Sequence, residues 1–241
     1  MQTNKLISEK FRNLEGSLNL VELYSENIFS QYYSDIQTEN FLNDLEYYKS
    51  RLTKSENIIE LASGSGRILI PLAEDGYNIV GIEKEKEMIM KMEKHQDKVI
   101  HENIFCVEKL KKEYSRTDCL LLPATSISLF SLENFAELLN SIKIMNKGLR
   151  IILDVYNLRK FLSEKPKKEI TEKGTFYYLN FEEDNCIIYN IFHKESQKIG
   201  YSVKFNHNWK DIVSMLQKIG FYVKITNPQK DYFIIEGVMH E

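Results

Sequence analysis

The chain has 241 residues, a formal net charge of -3 and 43% apolar residues. That is enough for one large globular domain, or a domain with a lid, and too apolar for wholesale disorder. The slight negative balance gives no general attraction to a polyanion and argues against nucleic acid as a partner. No run reaches the about 18 consecutive apolar residues of a spanning helix, and the N-terminus lacks a signal-peptide core. The three cysteines lack metal-site spacing. A cytoplasmic protein without a membrane partner or a metal is the expectation.

Residues 17–53 carry Leu20, Val21, Tyr24, Ile28, Tyr32, Phe41, Leu45 and Tyr48 at three- and four-residue steps, which predicts a helical lead-in. The stretch 57–83 follows, and the rest of the chain is organised around it. Residues 58–62 are short and β-branched enough for a buried strand. Ser63-Gly64-Ser65-Gly66 places two glycines where a chain turns sharply and a ligand approaches the backbone. Residues 67–75 have the apolar spacing of one helix face, with Pro71 tolerable only in the first turn. Gly76 ends that helix, and residues 78–82 make a second strand closing on Glu83. In such a β-α-β unit the ligand crevice lies at the carboxyl ends of the strands. An acid about 20 residues past the turn accepts hydrogen bonds from ribose hydroxyls there.

Further along, residues 84–96 predict a charged helix with Met88, Ile89 and Met92 on its apolar stripe, and Val99-Ile100 a third strand. Residues 118–122 predict a fourth strand ending at Pro123-Ala124-Thr125. A helix follows over 133–146, then a fifth strand over 149–155 that carries Asp154 at its end. A carboxylate at the end of a buried strand is costly unless it is paired or working. Asp154 therefore reads either as structural or, with Tyr156 beside it, as facing the acceptor. Residues 174–179, 186–193 and 199–205 predict a three-stranded antiparallel meander, preceded by a charged connection over 162–173. A helix over 210–219 capped by Gly220 and a hairpin of 221–226 with 232–238 complete the chain.

A dinucleotide fingerprint needs a third glycine where this chain has Leu69, which disfavours a pyrophosphate ligand such as NAD. The string Ile59-Glu60-Leu61-Ala62-Ser63-Gly64-Ser65-Gly66-Arg67, continued by Ile70-Pro71-Leu72-Ala73, Gly76 and Val80-Gly81-Ile82-Glu83, instead resembles motif I of class I S-adenosylmethionine-dependent methyltransferases. The element order is similar to the small-molecule and natural-product N-methyltransferases of that class. Among these are aminosugar N,N-dimethyltransferases and peptide N-terminal methyltransferases.

The resemblance implies a Rossmann-like, seven-stranded, mostly parallel sheet with helices on both faces. It implies a helical lid over 1–53, a cofactor domain of 54–160 and 207–241, and an inserted meander over 161–206 that roofs the substrate. Cofactor contacts are then expected from Tyr24, Glu60, Ala62, Gly64, Gly66, Arg67, Glu83, Lys84, Met88 and Pro123. Glu102 or Asn103 stands where the family has an adenine-binding aspartate, with Ile104 beside the ring. Asp154, His207 and Tyr33 are the candidates for handling the acceptor's proton, and Tyr156 and Thr125 for touching the acceptor. The implied reaction transfers methyl from S-adenosyl-L-methionine to an amine of a small molecule or peptide, by a monomer or homodimer. O- or C-methylation and a non-catalytic cofactor-binding protein are the alternatives.

Overall fold

The computed structural model describes residues 5–12, 19–37 and 44–239. Its centre is a seven-stranded sheet made of β2 (Ile58–Leu61), β3 (Ile79–Glu83), β4 (Val99–His101), β5 (Cys119–Leu122), β6 (Arg150–Tyr156), β11 (Phe221–Gln229) and β12 (Tyr232–Met239). The spatial order is β11-β12-β6-β5-β2-β3-β4. Strands β4, β3, β2, β5 and β6 run parallel, and β12 is antiparallel to both of its neighbours. The chain steps outward from β2 to β3 and β4, then crosses back to lay β5 on the other side of β2. That reversal opens a crevice at the carboxyl ends of β2 and β5.

Alternation along these strands feeds two cores. Ile59, Leu61, Leu120, Leu122, Ile151 and Leu153 face α7 (Leu132–Met145) and α8 (Trp209–Ile219), whose stripes bury Phe135, Leu138, Leu139, Ile142, Ile212 and Leu216. Ile58, Leu121, Cys119 and Ile152 face the other way, against Tyr48 and Leu52 at the end of α3 (Asp44–Arg51) and Ile68 and Leu72 at α4 (Leu69–Glu74). Pro71 falls in the first turn of α4, as its missing N–H requires. Asn208 caps α8 by accepting from Lys210 N, and left-handed Gly220 ends it.

A tight packing point sits between the glycine turn, α4 and β3. A Cβ on Gly81 would lie 2.5 Å from Ser63 Oγ and 2.6 Å from Leu69 Cδ1. Leu69 thus occupies the place of the missing third glycine, and Gly81 across the sheet supplies the room. Gly81→Ala is expected to destabilise the fold by about 1–3 kcal/mol through overpacking. Urea denaturation checks this, and an unchanged midpoint would mean the turn relaxes freely.

The inserted sheet is larger than the sequence suggests. Its order is β1-β10-β9-β8-β7, with β1 (Asn19–Glu22), β7 (Lys167–Thr171), β8 (Gly174–Glu183), β9 (Cys186–His193) and β10 (Lys198–Phe205). Two expectations are corrected here. The stretch 162–173, read as a plain connection, contains edge strand β7 paired antiparallel to β8. In the lead-in, Leu20 and Val21 belong to β1, paired in parallel with Ile199 and Gly200, and not to a helix. A partner strand about 180 positions away satisfies that backbone, and no local pattern records it.

Helix α2 (Asn27–Gln37) follows β1 and packs Phe29 and Tyr32 on this sheet with Phe176 and Ile191. Gly200 makes the approach possible, since a Cβ there would meet Phe29 Cδ2 at 2.8 Å. The helix expected over 84–96 is also shorter, with α5 ending at Lys86–Ile89. The chain then bends so that Met92 packs beneath the glycine turn. Phe41 of the predicted lead-in stripe lies outside the described residues. No helix among the described residues is long and apolar enough to cross a membrane.

Candidate active site

Strand β2 ends in a turn whose backbone is left-handed at Ala62 (φ 53°), Gly64 (φ 57°) and Gly66 (φ 83°). Gly66 N donates to Ser63 O at 3.0 Å and Ile70 N to Gly66 O at 2.9 Å, which carries the turn into α4. The carboxylate of Glu83, at the tip of β3, clamps the turn from the side. Its Oε2 accepts from Gly64 N at 2.9 Å and its Oε1 from Glu85 N at 2.8 Å. Burial pushes the Glu83 carboxyl above its usual range, and these backbone N–H groups oppose that shift.

A cavity of about 430 Å³ opens over this turn, at the crevice between β2 and β5. Twelve sequence-predicted residues line it. On the turn side these are Glu60, Ala62, Gly64, Arg67, Glu83, Lys84 and Met88, and the far wall adds Asn103, Ile104 and Pro123. Tyr24 and Tyr33 come from the lead-in. Gly66 lies beneath the turn, where a Cβ would strike Met92 and Ile70, so its role is to let the turn close.

Two buried polar atoms at the cavity have no protein partner among the described residues, Glu60 Oε2 and Ser63 Oγ. Burial raises the Glu60 carboxyl to about 8 from an ordinary 4.5, against the pull of Arg67. A folded pKa above the unfolded one means the folded protein holds a proton that the unfolded chain releases. The stability this supplies is complete below about 4.5 and is lost as pH rises through 8. Asp154, raised to about 6, and Glu83, also raised, behave alike, so Glu60's share in the window up to about 8 is the part that its replacement removes. The ligand-free protein should lose thermal stability across that window, and Glu60→Gln should flatten the slope. Parallel pH profiles of the two proteins would show that Glu60 is not protonated.

Arg67 at the start of α4 makes a two-pronged ion pair with Asp44 of α3, Nη1 to Oδ1 and Nη2 to Oδ2, both at 2.7 Å. Asp44 is 1% exposed. The pair staples the lead-in to the glycine turn, and Asp44 was not among the sequence candidates. Of the alternatives Glu102 and Asn103, the cavity takes Asn103. Glu102 is not on the cavity wall; Lys109 Nζ at 2.6 Å and Asn103 N at 2.9 Å hold its carboxylate below the usual range, at about 2.

Four candidates for acceptor chemistry are not on the cavity wall. Asp154 is fully buried. It accepts from Tyr48 Oη at 2.6 Å, Ala124 N at 2.9 Å, Thr125 Oγ1 at 3.1 Å and Thr125 N. It therefore pins the left-handed Ala124-Thr125 turn after β5 and acts on the site by shaping that turn. Thr125 is spent on Asp154. His207 gives its Nε2 to Phe130 O at 2.7 Å and stacks on Phe205, so it braces the Phe130 segment from behind. Tyr156 packs against Phe161 and Tyr232.

What lines the cavity instead is a cluster of two candidates, Tyr24 and Tyr33, with a lysine that was not among the candidates. Tyr24 and Tyr33 meet edge to face at 5.0 Å. Lys204 of β10 donates from Nζ to Tyr24 Oη at 2.7 Å and lies over the rings of Tyr24 and Tyr189. Phe130, Ser131 and Asn134 also line the cavity. Lys204 escaped the sequence reading. Its one signal is phase, since Gly200, Ser202 and Lys204 share one face of β10 and a lysine there points into the protein.

No protein-family model matches the chain, and no curated protein matches it by sequence. Solved structures do match in fold. An S-adenosylmethionine-dependent methyltransferase from Clostridium acetobutylicum superposes with a TM-score of 0.65 at 14% identity, covering 89% of this chain and 99% of that one. The sugar N-methyltransferase KedS8 from a Streptoalloteichus species gives 0.63 at 15%, covering 95% and 96%. The glycopeptide N-methyltransferase MtfA, complexed with S-adenosylmethionine, gives 0.55 at 17%, covering 83% and 87%. The chain carries the fold of these enzymes, including the Rossmann-like sheet that the motif implies.

Proposed function

We propose that the protein is an S-adenosylmethionine-dependent methyltransferase that methylates an amine nitrogen of a small molecule or peptide natural product. The observation that carries this reading is one cavity with two unlike halves. One half is the Gly64 turn with Glu83 and the partnerless Glu60 oxygen, and the other is an aromatic chamber under the inserted sheet. The first half fits the cofactor. The bare Gly64 backbone leaves room for a nucleoside close to the turn, and Glu83 keeps lone pairs free for ribose hydroxyls. Glu60 holds a proton in the ligand-free protein, and a ligand that bears an ammonium would favour its ionised form and pair with it.

When bound, the cofactor supplies an electrophilic methyl group on a sulfonium. The chain's own residues then have to orient the acceptor, exclude water and let an amine shed its proton before attack. Phe130, Tyr24 and Tyr33 wall the chamber against water, and Asp154 holds the Ala124-Thr125 turn at its floor. The sugar and glycopeptide N-methyltransferases among the structural neighbours support nitrogen as the acceptor atom. The proposed division keeps a lid over 1–53 and a roof over 161–206, with β1 reaching from the first into the second.

Calorimetric titration with S-adenosylmethionine and with NAD, followed by mass analysis of a panel of amines and short peptides, tests the reading. Cofactor binding with one or two methyl masses added to an amine is the expected result. Methyl on an oxygen or carbon acceptor would move the activity to the alternatives. Cofactor binding without turnover on any acceptor would leave a non-catalytic binding protein, and preference for NAD would overturn the reading outright.

A further inference from the structure

Lys204 is 7% exposed, lines the cavity, and is placed on β10 of the inserted sheet. An ammonium carries three N–H donors. Among the described residues Nζ donates one hydrogen bond, to the Tyr24 hydroxyl, and no carboxylate pairs with it. The acids on the cavity wall are Glu60 on β2, Glu83 at the end of β3, Glu85 at the start of α5 and Glu22 at the end of β1, and none of them is paired with Lys204. Glu22 is solvent-exposed. The contrast with Arg67 is direct, since that cation is neutralised by Asp44. Burial holds the Lys204 ammonium below its ordinary pKa. A buried cation without a counter-charge is costly, and a fold retains one where a ligand completes it.

We propose that the acceptor carries an anionic oxygen group, a carboxylate in the first instance, that seats on Lys204 beside the Tyr24 hydroxyl. This rests on reading the chamber as the acceptor half of a methyltransferase site. It narrows the substrate class to acidic amines, such as amino acids, peptides with a nearby carboxylate or acidic aminosugars. The electrostatics favour the same class. A sulfonium and Lys204 would put two positive charges beside the arriving amine, and an acid on the acceptor supplies Lys204 with the counter-charge that the wall's glutamates do not. The rings of Tyr24 and Tyr189 flank the ammonium and fix its direction.

The test uses the full chain saturated with S-adenosylhomocysteine, at constant ionic strength, as wild type, K204R, K204M and K204Q. Sodium acetate and inorganic phosphate are titrated separately while thermal stability is followed. A saturable rise in wild type and K204R that is absent from K204M and K204Q is expected. An effect of acetate identifies a carboxylate, and an effect of phosphate alone identifies a phosphorylated acceptor. No saturable effect in wild type, or an equal effect in K204M and K204Q, would overturn the proposal. Without anion, the two neutral variants should be at least as stable as wild type, whereas a purely structural lysine would leave both less stable.

Calorimetry separates the remaining case. S-adenosylhomocysteine should bind wild type and K204M equally. A tenfold loss in K204M would assign Lys204 to the cofactor's own carboxylate and overturn the proposal. Failure of wild type to bind it at all would instead sink the methyltransferase reading. With turnover in hand, wild type should prefer amino acids over their primary amides by about tenfold or more in kcat/KM, and K204M should lose that preference. Equal use of acids and amides by wild type would overturn the proposal.

Discussion

Gly64→Val is expected to weaken S-adenosylmethionine binding by at least about 100-fold, or about 2.8 kcal/mol. Gly64 sits at φ 57° at the mouth of the cavity. A left-handed conformation costs an ordinary residue about 1–2 kcal/mol, and a β-branched side chain more. The turn would therefore relax away from its present shape, and with it the N–H that Glu83 holds. A Cβ would touch Met88 Cε at 3.4 Å, an ordinary contact, so the fold itself should survive. The methyl groups beyond Cβ would then stand on the path of the ligand. Calorimetry measures the affinity, and circular dichroism confirms that the variant is folded. Wild-type affinity in a folded variant would place the cofactor somewhere other than the glycine turn.

The second large effect concerns Asp44. Asp44→Ala removes both acceptors of the Arg67 fork and leaves the guanidinium largely buried at the cavity wall. Breaking one side of a buried pair costs about 3–5 kcal/mol. The Arg67 side chain keeps 20% exposure, so the lower end of that range applies. For a chain of this size, about 3 kcal/mol corresponds to a Tm lowered by roughly 6–12 °C. Since Arg67 also supports the turn, cofactor affinity should fall with stability. The double replacement Asp44→Leu with Arg67→Met should regain much of the stability, because an apolar pair of similar bulk avoids the desolvation penalty. A Tm for Asp44→Ala within about 2 °C of wild type would mean that solvent reaches the guanidinium and the staple contributes little.

These two sites differ in how they can be found. The glycine turn, Glu60 and Glu83 were legible because their chemistry is local. A strand, a turn that needs left-handed backbone, a helix start and an acid at the next strand tip all fall within residues 57–83, and each constrains its neighbours in sequence. Alternation and helical spacing likewise marked the strands and helices of the main sheet. Asp154 was legible only as a question. Its burial at a strand end was evident, but whether it worked or was satisfied depended on Tyr48 and on the Ala124 and Thr125 N–H groups.

Local pattern was enough to mark a β-α-β unit with a glycine turn at its crevice and an inserted antiparallel layer, and the resemblance of that unit implied the Rossmann-like sheet. The tertiary structure alone decided what completes that crevice. It set Asp44 against Arg67, β1 against β10, and Lys204 against Tyr24, pairings that join residues 23, about 180 and 180 positions apart. The physical reason is range. Backbone conformation and one-face periodicity are written in short windows, whereas an ion pair or a parallel edge strand takes its energy from a partner that only packing brings near.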